Sequence, residues 1–316
     1  MIEKITNSNI YNNKTLLKGL KFVSDNSAVF LAGTSLAMQG IVRPISTVLA
    51  PKTPKEDKKI SLTKSVSSAI TGFLFMLAFS TPFSKAVKNI DKNPLKYISK
   101  ETIKNIGHPK NSKEYQFITQ LFKLGLGFLL AYPKAIVNNK VIPFVNEKFS
   151  KKDDNSRPSF KGKLENIISA TINNKNMQEF SKKASNTKFT THLIALGDIF
   201  STFAFTNITK KNKKLDNHQK EILNNNAIIS TSLCLLSGYA LDFASDRPMK
   251  KILQNLEKAN KNSADLMKYK QGANILKTSL IFGIIYYGLI PSISTFLSSK
   301  LSNKTQASGH IDKNNI

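Results

Sequence analysis

Charge is segregated along this chain, and that segregation restricts its fold more than any motif does. Six windows, residues 28–42, 65–84, 115–133, 189–209, 227–245 and 278–299, hold 116 residues but only three of the 67 charged side chains: Lys123, Asp198 and Asp242. Even mixing would place about 25 there. A helix on the surface of a soluble protein keeps a polar face, so its charges recur with each turn. Stretches of roughly 20 residues without that recurrence suit a hydrocarbon core about 30 Å thick. The sequence therefore predicts an all-α chain, a polytopic transmembrane helical bundle of about six spans. The averages, 41% hydrophobic and 21% charged with a mean hydropathy of −0.22, look soluble only because they blur this pattern.

The windows differ in quality. The first, AVFLAGTSLAMQGIV, reaches full length only if Arg43 snorkels toward headgroups, and Pro44 is expected to end or kink its helix. In the second, Ser68, Ala69 and Gly72 allow a neighbouring helix to approach closely. The third is the weakest, with Lys123 at its middle and Gly125, Gly127 and Pro133 loosening it; a broken or re-entrant segment is the alternative. The sixth, TSLIFGIIYYGLIPSISTFLSS, is the strongest and should kink at Pro291.

Between the windows the chain is basic and amphipathic. Residues 10–24 read as a short helix, either on the protein surface or in the headgroup layer. Lys96, Lys100 and Lys104, spaced by four, are expected on one helix face. The longest connection, 134–188, carries an amphipathic stretch around Leu164, Ile167, Ile168, Thr171 and Ile172 and is expected outside the bilayer. The organisation read from this pattern is an amphipathic N-terminal segment (1–27), a first three-span half (28–150), a basic amphipathic connection (151–188), a second three-span half (189–299) and a disordered polar tail (300–316).

A shift of 164 residues lays windows 28–42, 65–84 and 115–133 on 192–206, 229–248 and 279–297 without a gap. The identities, such as Gly33 with Gly197 and Phe79 with Phe243, are at chance level, so spacing alone suggests two repeats. Three spans is an odd number, so such repeats would be inverted, as in many secondary transporters. Lys and Arg divide almost evenly between the two sides the spans would define, which gives no orientation for the N-terminus.

The formal charge of +27 comes from 44 Lys and three Arg against 20 acids. The expected partner is a lipid bilayer with anionic headgroups, which favours each nearby cation by about 1 kcal/mol. The lysines are spread over every loop without interleaved aromatics, which argues against nucleic acid as a partner. A homo-oligomer stays open. Cys234 is the only cysteine, so no intrachain disulfide forms. No cleavable signal peptide is expected, because no Ala-x-Ala site follows the first apolar stretch.

Candidate chemistry is sparse. Asp198 and Asp242 sit inside consecutive windows, where a carboxylate costs at least ~2.5 kcal/mol and usually faces a partner or water. Three readings compete: a structural hydrogen bond, a proton- or cation-coupling site, and an intramembrane aspartyl protease dyad. The last rests on Gly197-Asp198 alone; the leading glycine of a Gly-x-Gly-Asp motif and a Tyr-Asp partner are both missing. His192 reads as an interfacial polar contact. Leu236-Ser237-Gly238 lacks the leading glycine of a rhomboid-type nucleophile turn. No catalytic motif, cofactor-binding loop or metal-ligand cluster is present in the sequence. All three arginines precede proline, as Arg43-Pro44, Arg157-Pro158 and Arg247-Pro248. Arg43 and Arg247, each just past an apolar window, are candidates for contacts with anionic headgroups or with a carboxylate, Asp198 or Asp242.

The stretch RPISTVLAPKTPKEDKKISLTKSVSSAITGF, followed by FSKAVKNIDKNPLKYISKETIKNI, resembles a family of bacterial polytopic membrane proteins to which no activity can be carried over. The resemblance covers about residues 30–145 and implies a multi-pass protein of the cell membrane, the inner membrane in a bacterium. The function expected first is transporter- or channel-like, with a non-transport membrane scaffold as the alternative.

Overall fold

A computed structural model describes residues 10–26, 30, 33–34, 36–109, 112–147, 163–185 and 187–311; among them every regular element is helical. Three helices are long and apolar enough to cross a membrane: Lys55–Lys92, Lys113–Pro143 and Leu266–Lys304. A fourth is added if Asn217–Leu241 and Phe243–Ala259, inclined by 43°, count as one broken span. These match windows 65–84, 115–133, 278–299 and 227–245. Window 28–42 lies partly outside the described residues. Window 189–209 forms the helix Phe189–Lys211, but that helix is not among the apolar ones. His192, Asp198 and Asn207 interrupt its apolar run. The described chain thus supports three or four spans where the sequence suggested six.

The chain divides into two compact units, one of residues up to Ala69 together with those from Ile228, the other of Ile70–Ala227. In the first unit, α1 (Lys14–Asp25) lies against α12 (Leu266–Ile281). Asn13 caps α1, accepting from the Thr15 and Leu16 amides. Leu20 and Val23 are buried, as the amphipathic pattern predicts, but they face a partner helix. Two ion pairs hold the edges, Lys21 to Asp265 at 2.6 Å and Lys268 to Asp25 at 2.8 Å. Hydrogen bonding to the Asp265 carboxylate raises the pKa of the Lys21 ammonium. The unit also holds α2 (Arg43–Val48), most of α3 (Lys55–Phe75), most of α11 (Asn217–Ala259) and α13 (Ile290–Ile311). The polar tail expected to be disordered from residue 300 is therefore helical as far as Ile311.

The second unit is built on α7 (Lys113–Glu147) and α10 (Phe189–Lys211). Phe117 meets Phe189 at 6.2 Å between ring centroids, Phe128 meets Phe200 at 5.8 Å, and Thr209 Oγ1 lies 3.0 Å from Asn139 Oδ1. Residue numbers rise together along both helices, so the pair is parallel. Consecutive spans joined outside a bilayer would be antiparallel, so these two do not form the alternating pair expected from windows three and four. Helix α7 also continues through Pro133 and Pro143, taking residues 134–147 out of the predicted connection.

Around one end of α7 pack α4 (Thr81–Lys92), α5 (Pro94–Tyr97), α6 (Lys100–Ile106), α8 (Lys163–Asn173) and α9 (Lys175–Ala184). Phe83, Ile90, Ile106, Ile118, Ile168 and Ile172 form their shared core. The amphipathic stretch predicted around Ile168 and Ile172 is thus a core element. Lys96 does not share a helix with Lys100 and Lys104. Ser99 starts a new helix, its hydroxyl accepting from the Thr102 amide at 3.0 Å.

Burial in the first unit follows an unusual rule. The inner face of α3 carries Ser61, Thr63, Lys64, Ser65 and Ser67, and that of α13 carries Ser294, Thr295, Ser298, Ser299 and Ser302, all buried. Meanwhile Ile41, Ile45, Leu49, Ile284 and Leu289 are more than half exposed. Hydroxyls inside and large aliphatics outside is the arrangement of helices packed in lipid, where small residues permit close approach and apolar surface needs no cover.

The closest helix approach gives a test. A Cβ on Gly272 would strike the backbone of Leu20, with the carbonyl carbon 2.7 Å away, whereas one on Gly19 would meet nothing within 4 Å. Gly272→Ala should destabilise the α1–α12 pair by about 1–3 kcal/mol and lower Tm by several degrees. Gly19→Ala should raise it slightly through the helix-propensity gain. Thermal unfolding of both variants in detergent checks the pairing; equal effects would refute it.

Candidate functional site

Three segments of the described chain are π-helical: Met38–Val42, Met76–Ser80 and Phe282–Leu289. Each ends two residues before a proline: Pro44, Pro82 and Pro291. Proline lacks an N–H and its ring collides with the carbonyl four residues back. Those carbonyls belong to Gly40, Ala78 and Tyr287, all inside the π turns. Widening the helix at that point accommodates the ring without ending the helix, as the Arg43 amide shows by donating to Met38, five residues back. The kinks expected at Pro44 and Pro291 therefore take the form of π turns. Such turns in otherwise α-helical segments are frequent at functional sites.

Two of them belong to the first unit and pack against each other. Ser46 Oγ donates to the Gly288 carbonyl and accepts from the Ser292 amide at 3.1 Å. In a regular helix the Ser292 amide would bond the Gly288 carbonyl directly. The hydroxyl of one interrupted helix is thus inserted into the backbone ladder of the other, next to Pro291. Nearby, the Gln39 amide donates to the Tyr287 hydroxyl at 3.1 Å, and the Tyr286 hydroxyl donates to the Cys234 carbonyl at 3.0 Å. Gly238 leaves room for that tyrosine; a Cβ there would collide with its hydroxyl.

Charge enters this crossing from two helices. Arg43 lies between the π turn and Pro44, and its charge interacts with that of Lys64 on α3. Lys64 is buried, and Nε of Arg43 is buried without a hydrogen-bond partner. The neighbours felt by Arg43 besides Lys64 are Tyr287 and Cys234. Further along α3, buried Asp57 accepts from Ser299 at 2.5 Å, tying α3 to α13.

The residues singled out in the sequence are dispersed. Arg43 turns inward, yet among the described residues it meets no carboxylate. Asp198 lies on the accessible side of α10 in the second unit, where its electrostatic partner is Lys134 of α7. Asp242 falls at the 43° bend of α11, and its side chain lies outside the described residues. The bend lies six residues before Pro248, whose ring presses on the carbonyl of Ala244. Arg247 and His192 are exposed. The Ser237 hydroxyl turns back on its own helix, donating to Leu233 at 2.6 Å, and no metal-binding group of His, Cys, Asp or Glu occurs among the described residues. Sequence reasoning missed Lys64, Lys134, Ser46 and Asp57. Their only signal is position, since each borders an apolar window or its turn.

Removing the inserted hydroxyl should be costly. Ser46→Ala leaves the Gly288 carbonyl and the Ser292 amide unsatisfied, which predicts a loss of about 1–3 kcal/mol in unfolding stability. An unchanged Tm would show that the insertion contributes nothing.

Comparisons with protein-family models, with curated proteins and with solved structures match nothing to this chain.

Proposed function

We propose that this chain is an integral multi-pass membrane protein of the cell membrane, the inner membrane in a bacterium, with a transporter- or channel-like function. One observation carries the reading. Two π-interrupted helical segments meet through a polar contact at Ser46, Gly288 and Ser292, beside Arg43 and the buried Lys64. Irregular backbone is tolerated at membrane depth only where protein or a water-filled cavity satisfies it. Transporters use such interrupted helices to present backbone and side-chain polar groups to a solute. In this reading the crossing helices are the three or four apolar ones, and windows 28–42 and 189–209 are further embedded segments that complete the six-segment plan. Asp198 and Asp242 are its candidate ion-coupling carboxylates. The alternative is a non-transport scaffold, favoured by the well-packed core around Ile90 and Ile118 and by the opposite charge of Lys134 near Asp198.

Cys234, the single cysteine, stands at the crossing and discriminates the two. In reconstituted vesicles a small charged methanethiosulfonate should modify it in the folded protein if an aqueous path reaches the site. Modification only after denaturation would favour the scaffold. Asp198→Asn and Asp242→Asn should each reduce any ion-coupled uptake. Uptake unchanged in both would remove these carboxylates from the mechanism.

A further inference from the structure

We infer that Arg43, together with the Tyr287 hydroxyl and the neighbouring Lys64, forms a binding site for a small oxyanion of the phosphate type at the crossing of the two interrupted helices. The argument begins with a charge that cannot be removed. A guanidinium stays protonated in proteins, whereas a buried lysine can shed its proton. Arg43 therefore remains a cation among apolar helices. Among the described residues no carboxylate faces it, and its Nε–H is buried without an acceptor. A buried donor without an acceptor is costly, so the Nε–H has capacity for an oxygen among its neighbours.

The neighbours specify what kind. Gln39 donates its amide N–H to the Tyr287 oxygen, which leaves the phenolic O–H free to donate elsewhere. Tyr287 lies within electrostatic reach of Arg43. Lys64 is a further neighbour of Arg43. Donors from Arg43 and Tyr287 in a positive field suit an oxyanion, and the planar fork of arginine holds two of its oxygens at once. The inference does not require transport, because binding is measured without flux.

The test exploits the arginine count. The chain has three arginines, so protein labelled with ¹⁵N-arginine gives three Nε–H signals. Full-length protein in a neutral detergent is titrated with inorganic phosphate at constant ionic strength. We expect one signal to shift saturably, and Arg43→Lys to remove it. Tyr287→Phe, which keeps the ring and therefore the packing, should weaken binding on the order of tenfold, the effect of one hydrogen bond to a charged group. A shift that requires phosphatidylglycerol in the micelle, with none from free phosphate, would assign the oxyanion to a lipid headgroup. Three signals moving together without saturation, no shift from either source, or a saturable shift that survives Arg43→Lys would each overturn the inference. So would a Tyr287→Phe variant with unchanged affinity.

Discussion

The first unit depends on how a helix in apolar surroundings accommodates proline. Each proline in an apolar run removes one backbone donor and displaces one carbonyl, and hydrocarbon offers no replacement partner. At Pro44, Pro82 and Pro291 the chain responds with the same local change, a π turn that ends two residues earlier. At Pro291 a second device is added, because the Ser46 hydroxyl enters the ladder between Gly288 and Ser292. That contact fixes the register between the helices on either side of Pro44 and Pro291. Tyr286 and Tyr287 follow from it: both lie in the π turn Phe282–Leu289, from which one reaches the Cys234 carbonyl and the other Gln39. The π turns are a property of context as well as of proline. Pro133 sits in regular α-helix, where the rings of Phe200 and Tyr132 pack 5.8 Å apart over the same turn.

The burial pattern is consistent with that constraint. Where backbone must be satisfied by neighbours, short hydroxyl side chains serve twice. They let helices approach, and they bond to carbonyls of their own helix, as Ser65 does to Ser61 and Ser298 to Thr295. Several large aliphatic side chains, among them Ile41, Ile45, Leu49 and Ile284, then face outward. The core around Ile90, Ile118, Ile168 and Ile172 in the second unit has the opposite polarity.

The six apolar windows were legible because hydrophobicity along the chain is a one-dimensional quantity, and five of them lie in described helices. What escaped the sequence was three-dimensional. Asp57 and Lys64 belong to a stretch that reads as a solvated turn and a flanking lysine, yet they lie on the inner face of a helix that begins at Lys55. The third window looked breakable because Gly125, Gly127 and Pro133 lower helix propensity; packing against Phe189–Lys211 outweighs that local preference. The parallel direction of that pair could not be read at all, because periodicity carries no information on which helices become neighbours. Arg43 was identified by its rarity in a lysine-rich chain, but the carboxylate expected opposite it is absent among the described residues.

The two units treat charge differently. Asp198 has an opposite charge, Lys134, on the helix beside it. Arg43 has Lys64, a phenol and a thiol as its neighbours among the described residues, and none of them is an anion near pH 7. An uncompensated arginine is stabilised by whatever anion can reach it, and its affinity for that anion rises as water is excluded. The two settings differ in what surrounds the charge: a cation on the neighbouring helix for Asp198, a phenol, a thiol and Lys64 for Arg43.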